Sequence, residues 1–324
     1  MKIEVNTHER CMLDFANKHP ETLVLSADLG TSCEVKKFRA EKPDQYLTMG
    51  IAEQNMCSWA AGLAREGYRP FLHTFSVFLS RRILDQVEMS VAYPNLPVTF
   101  VGFVPGITTP GGVTHQSIND VGIMRTVPNM AIFDVGDATD IEGVLDLVYE
   151  WNGPAYIRML PRLFPANEPM VFNRARTITE GDDVLILSSS ICTEEAMRAT
   201  AALEDKGVSV QHMHVSTLKP FTDPTIVEAL KKCKYGVVTM ENHYNIGGLG
   251  SAVADLMAEN GIGKKLIKIG LNGYAHGASK MYLMTKYGID AMNLVKSVEE
   301  LIGKDLGIKE DDLDNQRFVD FLEV

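Results

Sequence analysis

Three short segments concentrate side chains that could act on a ligand. In Met49-Gly50-Ile51-Ala52-Glu53-Gln54-Asn55, one carboxyl opens a helix whose other early residues are apolar or small. The helix dipole favours a glutamate in a first turn whatever else it does. A carboxyl sealed among apolar neighbours also holds its proton more tightly and can share it near neutral pH. The second segment, His73-Thr74-Phe75-Ser76-Val77-Phe78-Leu79-Ser80-Arg81, carries two phenylalanines and an arginine. Such aromatics serve either as core or as a flat wall for a planar ligand. The third, Gly112-Val113-Thr114-His115-Gln116, offers a histidine. Farther on, Arg158 and Arg162 are candidates for gripping a phosphate with paired N–H groups, or for surface ion pairs.

The elements that must position these residues follow from hydrophobic period. Strands are expected over 22–27, 70–74, 98–103, 130–133 and 154–159, and helices over 52–66, 77–92, 119–126 and 138–151. Met56, Trp59, Ala60 and Leu63 share one face of the 52–66 helix, the face expected to be buried. Strand-helix alternation implies a parallel sheet covered on both faces. The pattern lapses after residue 160, where LPRLFPANEP holds three prolines and NRARTITEGDD is polar. It resumes with strands over 183–189, 208–214, 235–240 and 265–269, and helices over 193–206, 224–233, 249–260 and 292–302. The expected organisation is a first domain over 1–165, a linker over 166–180, a second domain over 181–306 and an acidic, pendant tail over 307–324.

The 324 residues suffice for two domains, each burying its own core. A net charge of −11 argues against binding nucleic acid through phosphates. No polybasic run would hold the chain on an anionic membrane, and no apolar stretch reaches the ~20 residues of a span. The five cysteines lack metal-ligand spacing and read as reduced thiols. The N-terminus is too polar for a secretory signal, so the expected compartment is the cytoplasm.

In this order and at these separations, the three segments resemble the pyrimidine-binding domain of the transketolase family. Gly50-Ile51-Ala52-Glu53-Gln54 and Phe78-Leu79-Ser80-Arg81 are also similar to 1-deoxyxylulose-5-phosphate synthase, a relative. The resemblance continues in Ser216-Thr217-Leu218-Lys219-Pro220-Phe221 and in Glu241-Asn242-His243 with Gly247-Gly248-Leu249-Gly250, which match the family's C-terminal domain. It implies an α/β pyrimidine-binding domain with a parallel sheet, followed by a transketolase C-terminal α/β domain. It also implies thiamine diphosphate as cofactor. That molecule must lose the C2 proton of its thiazolium ring to its own 4′-amino group, which a carboxyl facing pyrimidine N1′ makes basic enough. By resemblance, Glu53 is that carboxyl, Phe75 and Phe78 wall the pyrimidine, Arg81 matches an arginine of the synthase branch and is counted among the cofactor-binding residues, and Asp28 lies beside the thiazolium. His115 matches the histidine that contacts the sugar donor, and Ser32 a serine near the substrate phosphate.

Two departures concern the donor. Gly111 stands where one-chain transketolases have an aspartate, and Phe103 where the family has a second donor-binding histidine. These imply a donor other than xylulose 5-phosphate, such as a branched ketose of the apulose 4-phosphate kind, with Gly111 expected to leave room beside its middle carbons. The family's Gly-Asp-Gly and downstream Asn, which hold Mg²⁺ and the diphosphate, do not occur here. Gly181-Asp182-Asp183 sits at a strand entrance, and Gly136-Asp137 reads as a helix cap. The chain is therefore expected to carry no metal ligands. It is expected to work only with an N-terminal transketolase subunit, in an α2β2 assembly that moves a two-carbon ketol unit from a ketose phosphate to an aldose phosphate. The β subunit of a 2-oxo acid dehydrogenase E1, or a scaffold on the same fold, are the alternatives.

Overall fold

The computed structural model describes residues 4–163, 166 and 168–314. The first half runs β1 (Glu4–Val5), α1 (Thr7–Lys18), β2 (Thr22–Ser26), α2 (Lys36–Glu41), β3 (Tyr46–Thr48), α3 (Glu53–Arg65), β4 (Arg69–Phe75), α4 (Ser76–Arg81) and α5 (Leu84–Gln86). A π-helical turn (Val87–Ala92) leads to β5 (Thr99–Phe103), α6 (Asp120–Thr126), β6 (Ala131–Asp134), α7 (Ala138–Trp151), β7 (Ala155–Met159) and β8 (Arg162–Leu163). The second half runs β9 (Arg176–Thr179), β10 (Val184–Ser188), α8 (Cys192–Asp205), β11 (Val210–His214), β12 (Thr217–Lys219), α9 (Pro224–Lys232) and β13 (Gly236–Tyr244). It ends with α10 (Leu249–Glu259), β14 (Leu266–Leu271), α11 (Lys280–Lys286), α12 (Ala291–Ile302) and α13 (Glu310–Asp314).

The larger sheet has the order β3-β2-β4-β5-β7-β6, all parallel, and β12 from the second half closes its far edge antiparallel to β6. Its strands are rich in apolar side chains because both faces are covered. Alternation sorts them: Phe71, Val101 and Phe133 pack in the layer that includes Met12 and Phe15 of α1, whereas Leu72 and Phe100 pack in the layer that includes Met56 and Ala60 of α3. The smaller sheet has the order β14-β13-β10-β11-β9, with only β9 antiparallel. Helix starts are capped where the sequence supplies aspartates: Asp137 accepts from Asp140 N on α7, and Asp290 from Asn293 N on α12.

Four expectations are corrected. Trp59 is 55% exposed, because α3 packs through Met56, Cys57, Ala60, Ala61 and Ala64, which turns Trp59 outward. The helix expected over 77–92 breaks at Arg82 and Ile83. Within α4 the Ser80 hydroxyl bonds back to the Ser76 carbonyl at 2.9 Å, a competition that loosens a helix. The segment read as a linker ends in β9, an edge strand of the second sheet. The tail's described portion is not pendant: Ile308 and Leu313 are buried, and Arg198 Nε donates to Leu313 O at 3.3 Å. Residues 315–324 lie outside the described residues.

Candidate active site

Parallel strands bring their carboxyl ends to one edge, where open α/β sheets bind ligands. Four such ends gather the candidate residues. The turn after β3 leads to Glu53 at the start of α3, Asp28 follows β2, Phe75 ends β4, and the loop after β5 carries Gly111 and His115. Phe75 and Phe78 stack with ring centres 5.8 Å apart. His115 meets both edge-on, at 6.2 and 5.6 Å. Glu53 is buried and accepts a hydrogen bond from Arg82 Nη1 at 2.9 Å, while the Arg82 guanidinium lies 3.8 Å from the centre of the Phe78 ring. Glu53, Phe75, Phe78, Arg82 and His115 thus form one connected group.

The His115 loop is held from both sides. Arg81 donates to Val113 O at 3.0 Å and to Gln116 O at 3.1 Å, bracketing the histidine. Arg81 was expected against the cofactor; its guanidinium is committed to these carbonyls and acts on the loop. Thr114 Oγ1 and His115 Nδ1 are 2.9 Å apart, which fixes the ring. Gln116 Nε2 donates to His276 O at 3.2 Å, tying the loop to the second half of the chain. Upstream, Asn242 braces the same loop by accepting from Ile107 N at 3.0 Å and donating to Pro105 O at 3.1 Å. Gly106 between them has φ +62°, and a Cβ there would sit 2.2 Å from Asn242 Oδ1. Glu241 and His243 are likewise structural. The first accepts the Leu249 and Gly250 N–H groups at the start of α10, and the second takes the Gly122 N–H. This motif of the second half is a brace for the loop that carries His115.

Several candidates are placed differently from expectation. Gly111 does not open space for a ligand: a Cβ there would lie 3.0 Å from His115 Cβ and Cγ, so the histidine already fills that volume. Phe103 is fully buried and packs edge-on against His8 at 5.5 Å, on the opposite side of its strand from Gly102, so it offers a ligand no surface. Arg158 is fully buried as well. It donates to Asp120 Oδ2 and Asp134 Oδ2, each at 2.9 Å, and to Asn242 O at 2.9 Å. Burial alone would favour the neutral guanidine, but the two aspartates outweigh it and raise the pKa. A phosphate could reach this arginine only by stripping it from two carboxylates, so it is a joint between the halves. The Arg162 side chain lies outside the described residues. Asp28, at φ +60°, and Ser32 are exposed in the loop after β2, on the same sheet edge but outside the connected group.

Sequence reasoning missed Arg82, since the neighbouring Arg81 carried the resemblance and the helix was expected to run on through both. It also missed a buried pair, His8 Nε2 and His73 Nε2, 2.9 Å apart beside Phe103. Burial lowers both pKa values, that of His73 to about 4. The sequence separation of 65 residues hides the pair. A cluster of Asp137, Asp140 and His214 has ligand atoms within 4.8 Å of one another. Arg176 pairs with both of its carboxylates, so a guanidinium fills the place a metal would take.

Residues 6–165 match the pyrimidine binding domain of transketolase, and residues 173–293 match the transketolase C-terminal domain. The 6-deoxy-6-sulfo-D-fructose transketolase subunit SqwH of Clostridium sp. (strain MSTE9) is 36% identical over 91% of this chain and 93% of its own length. A putative transketolase C-terminal section of Methanocaldococcus jannaschii is 35% identical over 91% of this chain and 94% of its own. A solved structure of a split gene transketolase, an inactive beta4 tetramer, superposes with a TM-score of 0.83 at 32% identity, covering 92% of this chain and 97% of that one. The chain belongs to the transketolase family and carries its pyrimidine-binding and C-terminal domains as a pair. The site fits the cofactor this family implies. A buried carboxylate beside an aromatic face already accepts a planar nitrogen cation, the guanidinium of Arg82, with both contacts an aminopyrimidine needs.

Proposed function

We infer that this chain is one subunit of a thiamine-diphosphate-dependent transketolase, which transfers a two-carbon ketol unit from a ketose phosphate to an aldose phosphate. The observation that carries the reading is the convergence of Glu53, Phe75, Phe78 and His115 at the carboxyl edge of one parallel sheet. When bound, thiamine diphosphate supplies the nucleophilic carbon. Glu53 holds the proton at pyrimidine N1′, and Phe75 and Phe78 give the ring its flat support. Thr114 engages His115 Nδ1, so Nε2 is the nitrogen offered to the donor's oxygens. Arg81 and Asn242 keep that nitrogen in place through the loop.

The diphosphate and Mg²⁺ fall to a partner, the N-terminal transketolase subunit, in an α2β2 assembly. Support comes from the subunit and C-terminal-section relatives that the chain matches over nearly their full length. Ile51, 76% exposed two residues from Glu53, and Trp59 on the same helix leave apolar surface that a partner would cover. No helix among the described residues is long and apolar enough to cross a membrane. The compartment is the cytoplasm, which suits five free, buried cysteines. The donor is an atypical ketose. Gly111, beside His115, has no side chain to make the polar contact a xylulose 5-phosphate donor would use, and a relative is named for a sulfonated ketose.

Calorimetry and turnover assays test this. The chain alone should show no transketolase activity and no tight, Mg²⁺-dependent binding of thiamine diphosphate; adding the N-terminal subunit should create both. Tight binding to the isolated chain would contradict the division of ligands. Among xylulose 5-phosphate, apulose 4-phosphate and 6-deoxy-6-sulfofructose, an atypical ketose should give the highest kcat/KM. Preference for xylulose 5-phosphate would refute the donor assignment and leave the reaction class standing.

A further inference from the structure

The geometry points to Arg82 as an internal placeholder for the cofactor's aminopyrimidine, which must be displaced before the cofactor binds. This rests on the transketolase reading above. A guanidinium and a protonated aminopyrimidine are alike in the two features this site recognises: each is a flat N–C–N array, and each donates an N–H to a carboxylate. Arg82 makes both contacts at once, with its carbon 3.8 Å from the Phe78 ring centre and Nη1 2.9 Å from Glu53 Oε1. Cation-π stacking and a charge-assisted hydrogen bond each favour this pose. While Arg82 holds it, the guanidinium takes both the ring face and the carboxylate that the pyrimidine requires.

The backbone makes the exchange feasible. Arg82 stands at the break between α4 and α5, so its side chain is not clamped within a helix. That side chain is 46% exposed, whereas Glu53 is only 5% exposed. The arginine can swing into solvent; the carboxylate stays. In the empty subunit the pairing gives a buried carboxylate a counter-charge, which an unpaired one would lack. On loading, the cofactor's own N–H replaces it. The cost appears as an apparent dissociation constant raised by the fraction of molecules in which Arg82 occupies the site. Because the Arg82 side chain is half exposed, the effect is modest.

The test uses the assembled complex with its N-terminal subunit, titrated with thiamine diphosphate and Mg²⁺ by calorimetry. Arg82→Met should tighten cofactor binding about three- to tenfold, as expected when a competing state is removed. Arg82→Lys, which keeps the charge but loses the flat fork, should fall between Met and the wild type. Thermal melts of the complex saturated with cofactor, in which Arg82 is displaced in every form, should match the wild type, which separates affinity from folding. Unchanged or weaker binding in Arg82→Met overturns the inference, since Arg82 would then be indifferent to the cofactor or would help hold it. Failure of the wild-type complex to bind thiamine diphosphate at all refutes the functional reading itself, and the placeholder with it.

Discussion

Glu53 and Asp134 each hold an arginine at 2.9 Å, yet the two pairs differ in everything that surrounds them. Arg158 reaches Asp134, Asp120 and a backbone carbonyl, and the Tyr156 and Ser189 hydroxyls donate to the same aspartates at 2.6 and 2.9 Å. Both ends of that network are out of water, and it joins the two halves of the chain. Arg82 has Glu53 and one aromatic face, and it is half in solvent. A buried ion pair is destabilising to break because it strands the remaining charge. An exposed arm over a buried carboxylate can be exchanged for something else. Burial at both ends and the number of partners, rather than distance, separate a structural joint from a site able to take a ligand.

The largest expected effect tests the joint. Arg158→Met leaves Asp120 and Asp134 buried without their cation, and unfolding in urea should show a loss of ~3–5 kcal/mol. Cofactor binding and turnover by the molecules that remain folded should be close to normal. Lost turnover with unchanged stability would return Arg158 to the substrate site. Next comes the carboxylate of the open pair. Glu53→Gln should lower turnover of the reconstituted enzyme by at least ~10²-fold, the scale of a general acid-base group. Its effect on stability should stay within ~1 kcal/mol, because its partner is half exposed. Near-normal turnover would remove Glu53 from the chemistry.

The same contrast explains what the sequence discloses. Element types were legible because period and β-branched runs report burial: α7 spans the residues expected, 138–151. Glu53, Phe75, Phe78 and His115 could be singled out because each lies in a contiguous segment, and the fold brings them together at one sheet edge. Arg158 was misread because its partners Asp120, Asp134 and Asn242 stand 38, 24 and 84 positions away, where no local pattern can reveal them. Gly111 was misread for a related reason: an absent side chain signals room, but a histidine four positions on folds back to fill it. Trp59 shows the limit of period, since an apolar residue on a helix meets the core only if the helix packs on that side.

A third carboxylate sharpens the comparison, because no cation among the described residues serves it. Glu34 is buried, and one oxygen accepts the His8 N–H at 3.2 Å, with the N–H groups of Asn6 and Glu9 also facing it. It satisfies donors at the start of α1 that have no partner within the helix. Burial pushes its pKa up to about 7, with the backbone donors pulling part of the way back. A carboxyl whose folded pKa exceeds its unfolded value gives stability that is complete below about 4.5 and is lost as pH rises through about 7. The buried histidines act in the opposite sense. Burial lowers the pKa of His73 to about 4 and of His212 to about 3, so their contribution is present above about 6.5 and lost as pH falls through those values. Glu34→Gln keeps an acceptor for the N–H groups and removes only the ionisation. Subtracting wild-type from variant stability cancels the histidines. That difference should rise by on the order of 3 kcal/mol between about pH 4.5 and pH 8, given about 1.4 kcal/mol per unit of pKa shift. Urea unfolding across that range measures it. A flat difference would mean that Glu34 ionises in the folded chain as readily as in the unfolded one, and that backbone N–H groups alone serve a buried carboxylate as well as a guanidinium does.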